Sequence, residues 1–205
     1  MKELFIKVCG LRDPKNIVSI DEIGVDYLGF IFYAPSKRNA LQMDEIPSVR
    51  AKKVGVFVNE SFDAIISITQ RHQLQGVQLH GEESPVLCRQ LKAEGLMVWK
   101  VFGIDQSFDF NALEPYLGII DAFLFDTKSP SKGGTGVQFD WKILEKYPYD
   151  LPFILSGGLD LGDAQKIKNL HLPNLIGVDI NSKFELSPGN KDRVKVKNFV
   201  SDLRS

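Results

Sequence analysis

The sequence predicts a single-domain α/β chain over residues 1–205, folded as a (β/α)8 TIM barrel. Three observations predict it: eight short apolar runs, helix signals in the gaps between them, and polar or reactive residues closing run after run. The runs are rich in Val, Ile, Leu and Phe and fall at 4–9, 26–33, 53–58, 76–80, 97–102, 121–126, 152–156 and 175–180. Stretches at 14–23, 61–72, 84–94 and 160–170 carry helical spacing or helix-start chemistry. Asp13-Pro14, Ser84-Pro85 and Asp160 place a capping side chain or a first-turn proline where a helix should begin.

Near-continuous apolar strands alternating with helices indicate a parallel sheet covered on both faces, and eight such units favour closure over an open sheet. The helices after the second, fifth and sixth runs carry the weakest signals. A dinucleotide-binding open sheet is disfavoured because no G-x-G-x-x-G follows the first run. At 205 residues the chain stands near the lower limit, roughly 200, of a complete eightfold barrel.

Composition narrows the function classes. With 43% hydrophobic and 25% charged residues and a formal net charge of −1, the chain suits neither disorder nor a generally basic nucleic-acid surface. No apolar run approaches the ~20 residues of a membrane span. The start, MKELFIKVCG, lacks the basic region and long apolar core of a signal peptide, so a reduced, cytoplasmic setting is expected with Cys9 and Cys88 unbridged. His72, His80 and His171 are scattered without partners at metal-ligand spacing, and no metal is expected.

Barrel active sites sit at the C-terminal ends of the strands and on the loops that follow. That rule selects Cys9, Arg38, Asn59, His80, Asp126, Ser156 and the stretch Asp179 to Ser182. A strand cysteine is often a small buried hydrophobe; Cys88, at helical spacing in PVLCRQL, fits that reading, whereas Cys9 precedes Gly10 at the barrel mouth. Asp126 ends the apolar run AFLF, where burial would raise its pKa and suit a general acid; an aspartate bracing the next loop is the alternative. Asp121, at the other end of that run, reads as structural. Arg38 offers a planar fork to a carboxylate or phosphate, or lies solvated on the surface. The segment 127–136, TKSPSKGGTG, reads as an active-site loop, and its glycines, with Gly157 and Gly158 before Asp160, leave backbone N–H groups open to phosphate.

Six segments then occur in one order: Lys7-Val8-Cys9-Gly10-Leu11, Ser36-Lys37-Arg38 after GFIFY, VGVFVN at 54–59, VQLHGEE at 77–83, FDTKSPSKGGTGVQFDW at 125–141, and LSGGL at 155–159 leading to GVDINSKFELSPGNKD at 177–192. Together they resemble the phosphoribosylanthranilate isomerase family of tryptophan biosynthesis, over nearly the whole chain. The resemblance implies Cys9 as general base, Asp126 as general acid, Arg38 on the anthranilate carboxylate, and His80, Gly134 and Gly136 beside the substrate. It places Gly157, Gly158, Asp179, Asn181 and Ser182 around the ligand near its phosphate. INSKFE departs from the family's more usual serine pair followed by glycine, and APSKRN rearranges proline and lysine while keeping Ser-x-Arg.

The implied reaction is an Amadori rearrangement that needs no cofactor, on a small phosphorylated substrate, by a monomer or homodimer. Lys7, deeper in the first strand than Cys9, is read as a poor activator of the thiol and equally as a partner for a buried carboxylate. Two phosphosugar barrels are rivals: the histidine-pathway isomerase normally has aspartate where Cys9 stands, and indole-glycerol-phosphate synthase normally relies on a catalytic lysine and glutamate. A catalytically silent phosphate-ligand binder is the alternative from another class.

Overall fold

A computed structural model of the protein describes residues 3–128 and 138–205. Eight strands close in chain order: β1 (Phe5–Val8), β2 (Tyr27–Ile31), β3 (Lys52–Phe57), β4 (Gly76–Leu79), β5 (Met97–Ile104), β6 (Ala122–Thr127), β7 (Phe153–Leu155) and β8 (Leu175–Ile180). Each neighbouring pair is parallel, β8 against β1 included, so the barrel itself has no open edge. All eight runs read from the sequence are strands.

Alternation along each strand divides the apolar residues between two cores. In β1, Ile6 and Val8 point outward into the shell between barrel and helices, while Phe5 packs in an inner cluster with Val54, Trp99, Val101, Leu124 and Ile154. Phe5, Tyr27 and Trp99 meet at the N-terminal end, with ring centroids 4.8 to 5.7 Å apart, and floor the barrel with aromatic surface. Lys7 and Cys9 continue the inward face of Phe5 toward the other end.

The helices are α1 (Pro14–Asp21), α2 (Phe62–His72), α3 (Pro85–Ala93), α4 (Ala164–Lys168) and α5 (Arg193–Arg204). Asp13 and Ser84 accept from the N–H groups of Asn16 and Leu87, as the cap chemistry predicts, and Pro14 and Pro85 open their helices. The outer layer is thinner than the regular pattern in three places. No helix follows β2: residues 34–50 run as turns, with Pro35 and Pro47 unable to donate to a helical ladder. After β5 the connection holds a 3-10 turn, Phe110–Tyr116 with Pro115 inside it, and the described residues after β6 hold another, Trp141–Lys146. The predicted 160–170 helix is a 3-10 turn, Leu161–Asp163, leading into the five-residue α4.

Past β8, a short hairpin of β9 (Glu185–Ser187) and β10 (Asn190–Lys191) precedes α5. Among the described residues no helix is long and apolar enough to cross a membrane.

Candidate active site

The C-terminal mouth opens into a cavity lined by strand-end and loop residues that include Cys9, Arg38, Gln78, His80, Asp126, Ser156, Gly157, Gly158, Asp179, Asn181 and Ser182. Ten predicted site residues, drawn from six separate strand ends and loops, therefore share one cavity. Gly134 and Gly136, expected beside the substrate, lie outside the described residues.

Cys9 follows β1, its N–H donating to the Ile180 carbonyl at 2.9 Å, and its side chain is buried. Gly29 of β2 makes that position possible: a Cβ there would lie 2.9 Å from Cys9 Sγ and 3.0 Å from Lys7 Cε. Beneath the thiol, Lys7 Nζ contacts Asp179 Oδ2 at 2.8 Å, and both side chains are buried. Burial pushes the Cys9 thiol above its ordinary value, with Lys7 opposing that rise and Asp179 adding to it. Burial also lifts the Asp179 carboxyl, which Lys7 only partly offsets. For Lys7 burial works against the charge, yet Asp179 and Cys9 together hold the ammonium above its ordinary value. The 2.8 Å contact between two buried side chains fits an ammonium on a carboxylate, each charge compensating the other. Lys7 thus pairs with a buried carboxylate, one of its two readings, and although its charge opposes the rise of the Cys9 value, the thiol stays above its ordinary value.

Asp179 lines the cavity where the resemblance expects it, with its carboxyl buried against Lys7, and a carboxylate's charge does not suit direct contact with a phosphate. Its second oxygen, Oδ1, is buried and has no hydrogen-bond partner among the described residues.

Asp126 lies near the end of β6 with its carboxyl in the cavity wall. Oδ1 accepts from the Thr127 N–H at 2.7 Å, and Oδ2 is 3.7 Å from His80 Nε2. Burial pushes this carboxyl up to about 6; the Thr127 hydrogen bond works the other way and the Asp179 charge adds to the rise. The loop bearing His80 is braced from behind. Glu83 accepts from the N–H groups of Asn59 and Gly81 and contacts Lys100 Nζ at 3.1 Å, with both charged side chains buried. In the segment VQLHGEE, then, the second glutamate holds the loop while the histidine faces the cavity. Asp121 is structural as read: it accepts from Lys92 and the Val98 N–H. Cys88 is core.

Arg38, on the loop after β2, reaches across the mouth to Glu185 of β9. Its exposure is only 18%, so the solvated reading fails. Asn181 directs its side-chain oxygen to Lys191 Nζ at 2.6 Å. Gly157 and Gly158 turn the chain after β7 with φ of 89° and 67° and line the cavity beside Ser182. Sequence reasoning passed over Glu185, Lys191, Gln78 and Gly29. The turn chemistry of ELSPGNK, with proline and glycine between them, is the signal that sets Glu185 and Lys191 opposite one another across a hairpin.

Fold and site define a (β/α)8-barrel protein with a thiol and a raised carboxyl facing one cavity at its C-terminal mouth. The family model described as N-(5'-phosphoribosyl)anthranilate (PRA) isomerase matches residues 6–202. An N-(5'-phosphoribosyl)anthranilate isomerase of Parabacteroides distasonis is 40% identical over 206 residues, covering 98% of this chain and 93% of the relative. The structure of monomers generated from the dimeric phosphoribosylanthranilate isomerase of Thermotoga maritima matches with a TM-score of 0.78 at 32% identity, covering 98% of both chains. A phosphoribosyl anthranilate isomerase in complex with reduced 1-(o-carboxyphenylamino)-1-deoxyribulose 5-phosphate matches with a TM-score of 0.76 at 30% identity, again over 98% of both. This chain belongs to the N-(5'-phosphoribosyl)anthranilate isomerase family.

Proposed function

We propose that the chain converts N-(5'-phosphoribosyl)anthranilate to 1-(2-carboxyphenylamino)-1-deoxyribulose 5-phosphate in tryptophan biosynthesis, with Asp126 as general acid and Cys9 as general base. The observation that carries the residue assignment is that Asp126, its carboxyl raised to about 6, and the Cys9 thiol line one cavity. The first step needs a proton donor and the second a proton acceptor.

Asp126, protonated, donates to the furanose ring oxygen as the C1′–O bond breaks and the substrate opens to an iminium ion. Cys9, as thiolate, removes the proton from C2′, and the electrons of that C–H bond neutralise the iminium to give an enolamine. Tautomerisation to the ketone completes a redox-neutral isomerisation in which protons are moved and none is lost. The iminium charge favours the thiolate at the moment it is needed, offsetting the burial that raises the resting thiol.

Arg38 grips the anthranilate carboxylate, and His80 lies beside the aromatic and sugar portions. Gly157, Gly158 and Ser182, with the backbone at Asn181, receive the phosphate. Positioning through these contacts adds to the ~10²–10⁴-fold expected of each acid or base. The protein works in the cytoplasm as a monomer or homodimer.

Following the loss of phosphoribosylanthranilate fluorescence on adding the purified chain tests this function. Turnover supports it. Binding of the substrate without its consumption would instead identify a silent phosphate-ligand binder.

A further inference from the structure

We infer that Glu185 is the positioning residue for the carboxylate grip, orienting Arg38 and itself locked by Lys191; this rests on the reading of Arg38 as the contact to the anthranilate carboxylate. Arg38 Nε lies 2.9 Å from both Glu185 oxygens and Nη2 lies 2.8 Å from Oε2. A guanidinium has two edges able to engage a carboxylate in parallel hydrogen bonds. Glu185 occupies the edge made by Nε and Nη2, which leaves the edge made by Nη1 and Nη2 for a second carboxylate.

The lock is built from the far side of the site. Glu185 Oε1 also accepts from Lys191 Nζ at 2.7 Å and from the Gly189 N–H at 3.1 Å. Lys191 Nζ, buried, donates in addition to Asn181 Oδ1. Burial would raise the Glu185 carboxyl, but Arg38 and Lys191 hold it below the usual carboxylate range, so it stays an anion. The Arg38 stem threads a gap that only glycine leaves open, since a Cβ on Gly10 would lie 2.8 Å from both Arg38 Cδ and Asn181 Oδ1. An arginine with so many rotatable bonds loses less freedom on binding when its orientation is already set.

The test measures binding of two product analogues, one carrying the anthranilate carboxylate and one with a phenyl ring in its place, to wild type, Glu185→Gln, Glu185→Ala and Arg38→Met. Arg38→Met should abolish the preference for the carboxylate analogue. Glu185→Gln and Glu185→Ala should weaken the carboxylate analogue about tenfold, leave the phenyl analogue unchanged, and raise KM far more than they lower kcat. Preference lost in Arg38→Met but intact in both folded Glu185 variants overturns the positioning role. Preference intact in Arg38→Met overturns the reading of Arg38 itself. Equal weakening of both analogues in the Glu185 variants assigns the residue to structure alone and overturns the inference. Glu185→Gln keeps the side-chain shape and serves if Glu185→Ala does not fold.

Discussion

Nε2 of His80 stands 3.7 Å from Oδ2 of Asp126, and Nδ1 of the same ring is 3.4 Å from Nε2 of Gln78. The proposed acid therefore shares its edge of the cavity with a ring that can carry positive charge. A cation at that distance favours the carboxylate and removes the proton that ring opening needs. A fixed charge, His80→Lys, should lower the Asp126 value from about 6 by one unit or more. In the active form Asp126 holds its proton while Cys9 has lost one, so kcat/KM rises up to the Asp126 value, stays level, and falls only above the Cys9 value. His80→Lys should then move the lower break to more acid pH and reduce the plateau about tenfold per unit, while His80→Gln keeps the break near 6. A pH profile of kcat/KM for the three proteins checks this.

The raised Asp126 value is also a statement about stability. Its folded value of about 6 exceeds the roughly 3.9 of an unfolded aspartate. The folded chain binds the extra proton, so the stability from this group is complete below the unfolded value and is lost as pH rises through about 6. Asp126→Asn should match wild type near pH 3 and exceed it at pH 8 by up to about 3 kcal/mol. Urea unfolding at the two pH values measures the difference.

Removing one member of the buried pair leaves the other charged and desolvated. Lys7→Met should cost about 3–5 kcal/mol at neutral pH, and less in acid, where Asp179 takes up a proton. Chemical denaturation of the single variant, and of Lys7→Met combined with Asp179→Leu, reads the coupling. The double variant should recover part of the loss.

Gly29 leaves the room in which the thiol sits. Gly29→Ala would bring a methyl group within 3.0 Å of Sγ and Cα of Cys9 and of Cε of Lys7. The backbone of β1 cannot yield without disturbing the barrel, so about 1–3 kcal/mol of stability should be lost. Displacement of the thiol should lower kcat more than it raises KM. Steady-state kinetics and thermal unfolding of the purified variant test both parts.

The strands were legible because each is a short apolar run, and a barrel buries both faces of every strand. The site was legible in part because such runs end where a barrel places its chemistry: Cys9, His80 and Asp126 each stand at or just past a strand end. The pairing of charges was not. Lys7 and Asp179 lie 172 positions apart and meet only because closure sets β8 beside β1, so the phosphate role given to Asp179 could not be tested against its partner. Arg38 and Glu185, 147 positions apart, are hidden in the same way. Helix α5 did carry a local signal, with Val196, Phe199, Val200 and Leu203 at helical spacing after Asp192, and all four are buried. The missing helix after β2 has a local cause in Pro35 and Pro47.

The division of labour between Cys9 and Asp126 is tested most directly by turnover of phosphoribosylanthranilate in Cys9→Ala and Asp126→Asn, measured beside the Kd of a product analogue. Each variant should lose kcat by at least about 10²-fold and bind the analogue as wild type does. Wild-type-like turnover in either folded variant would contradict the role assigned to that residue.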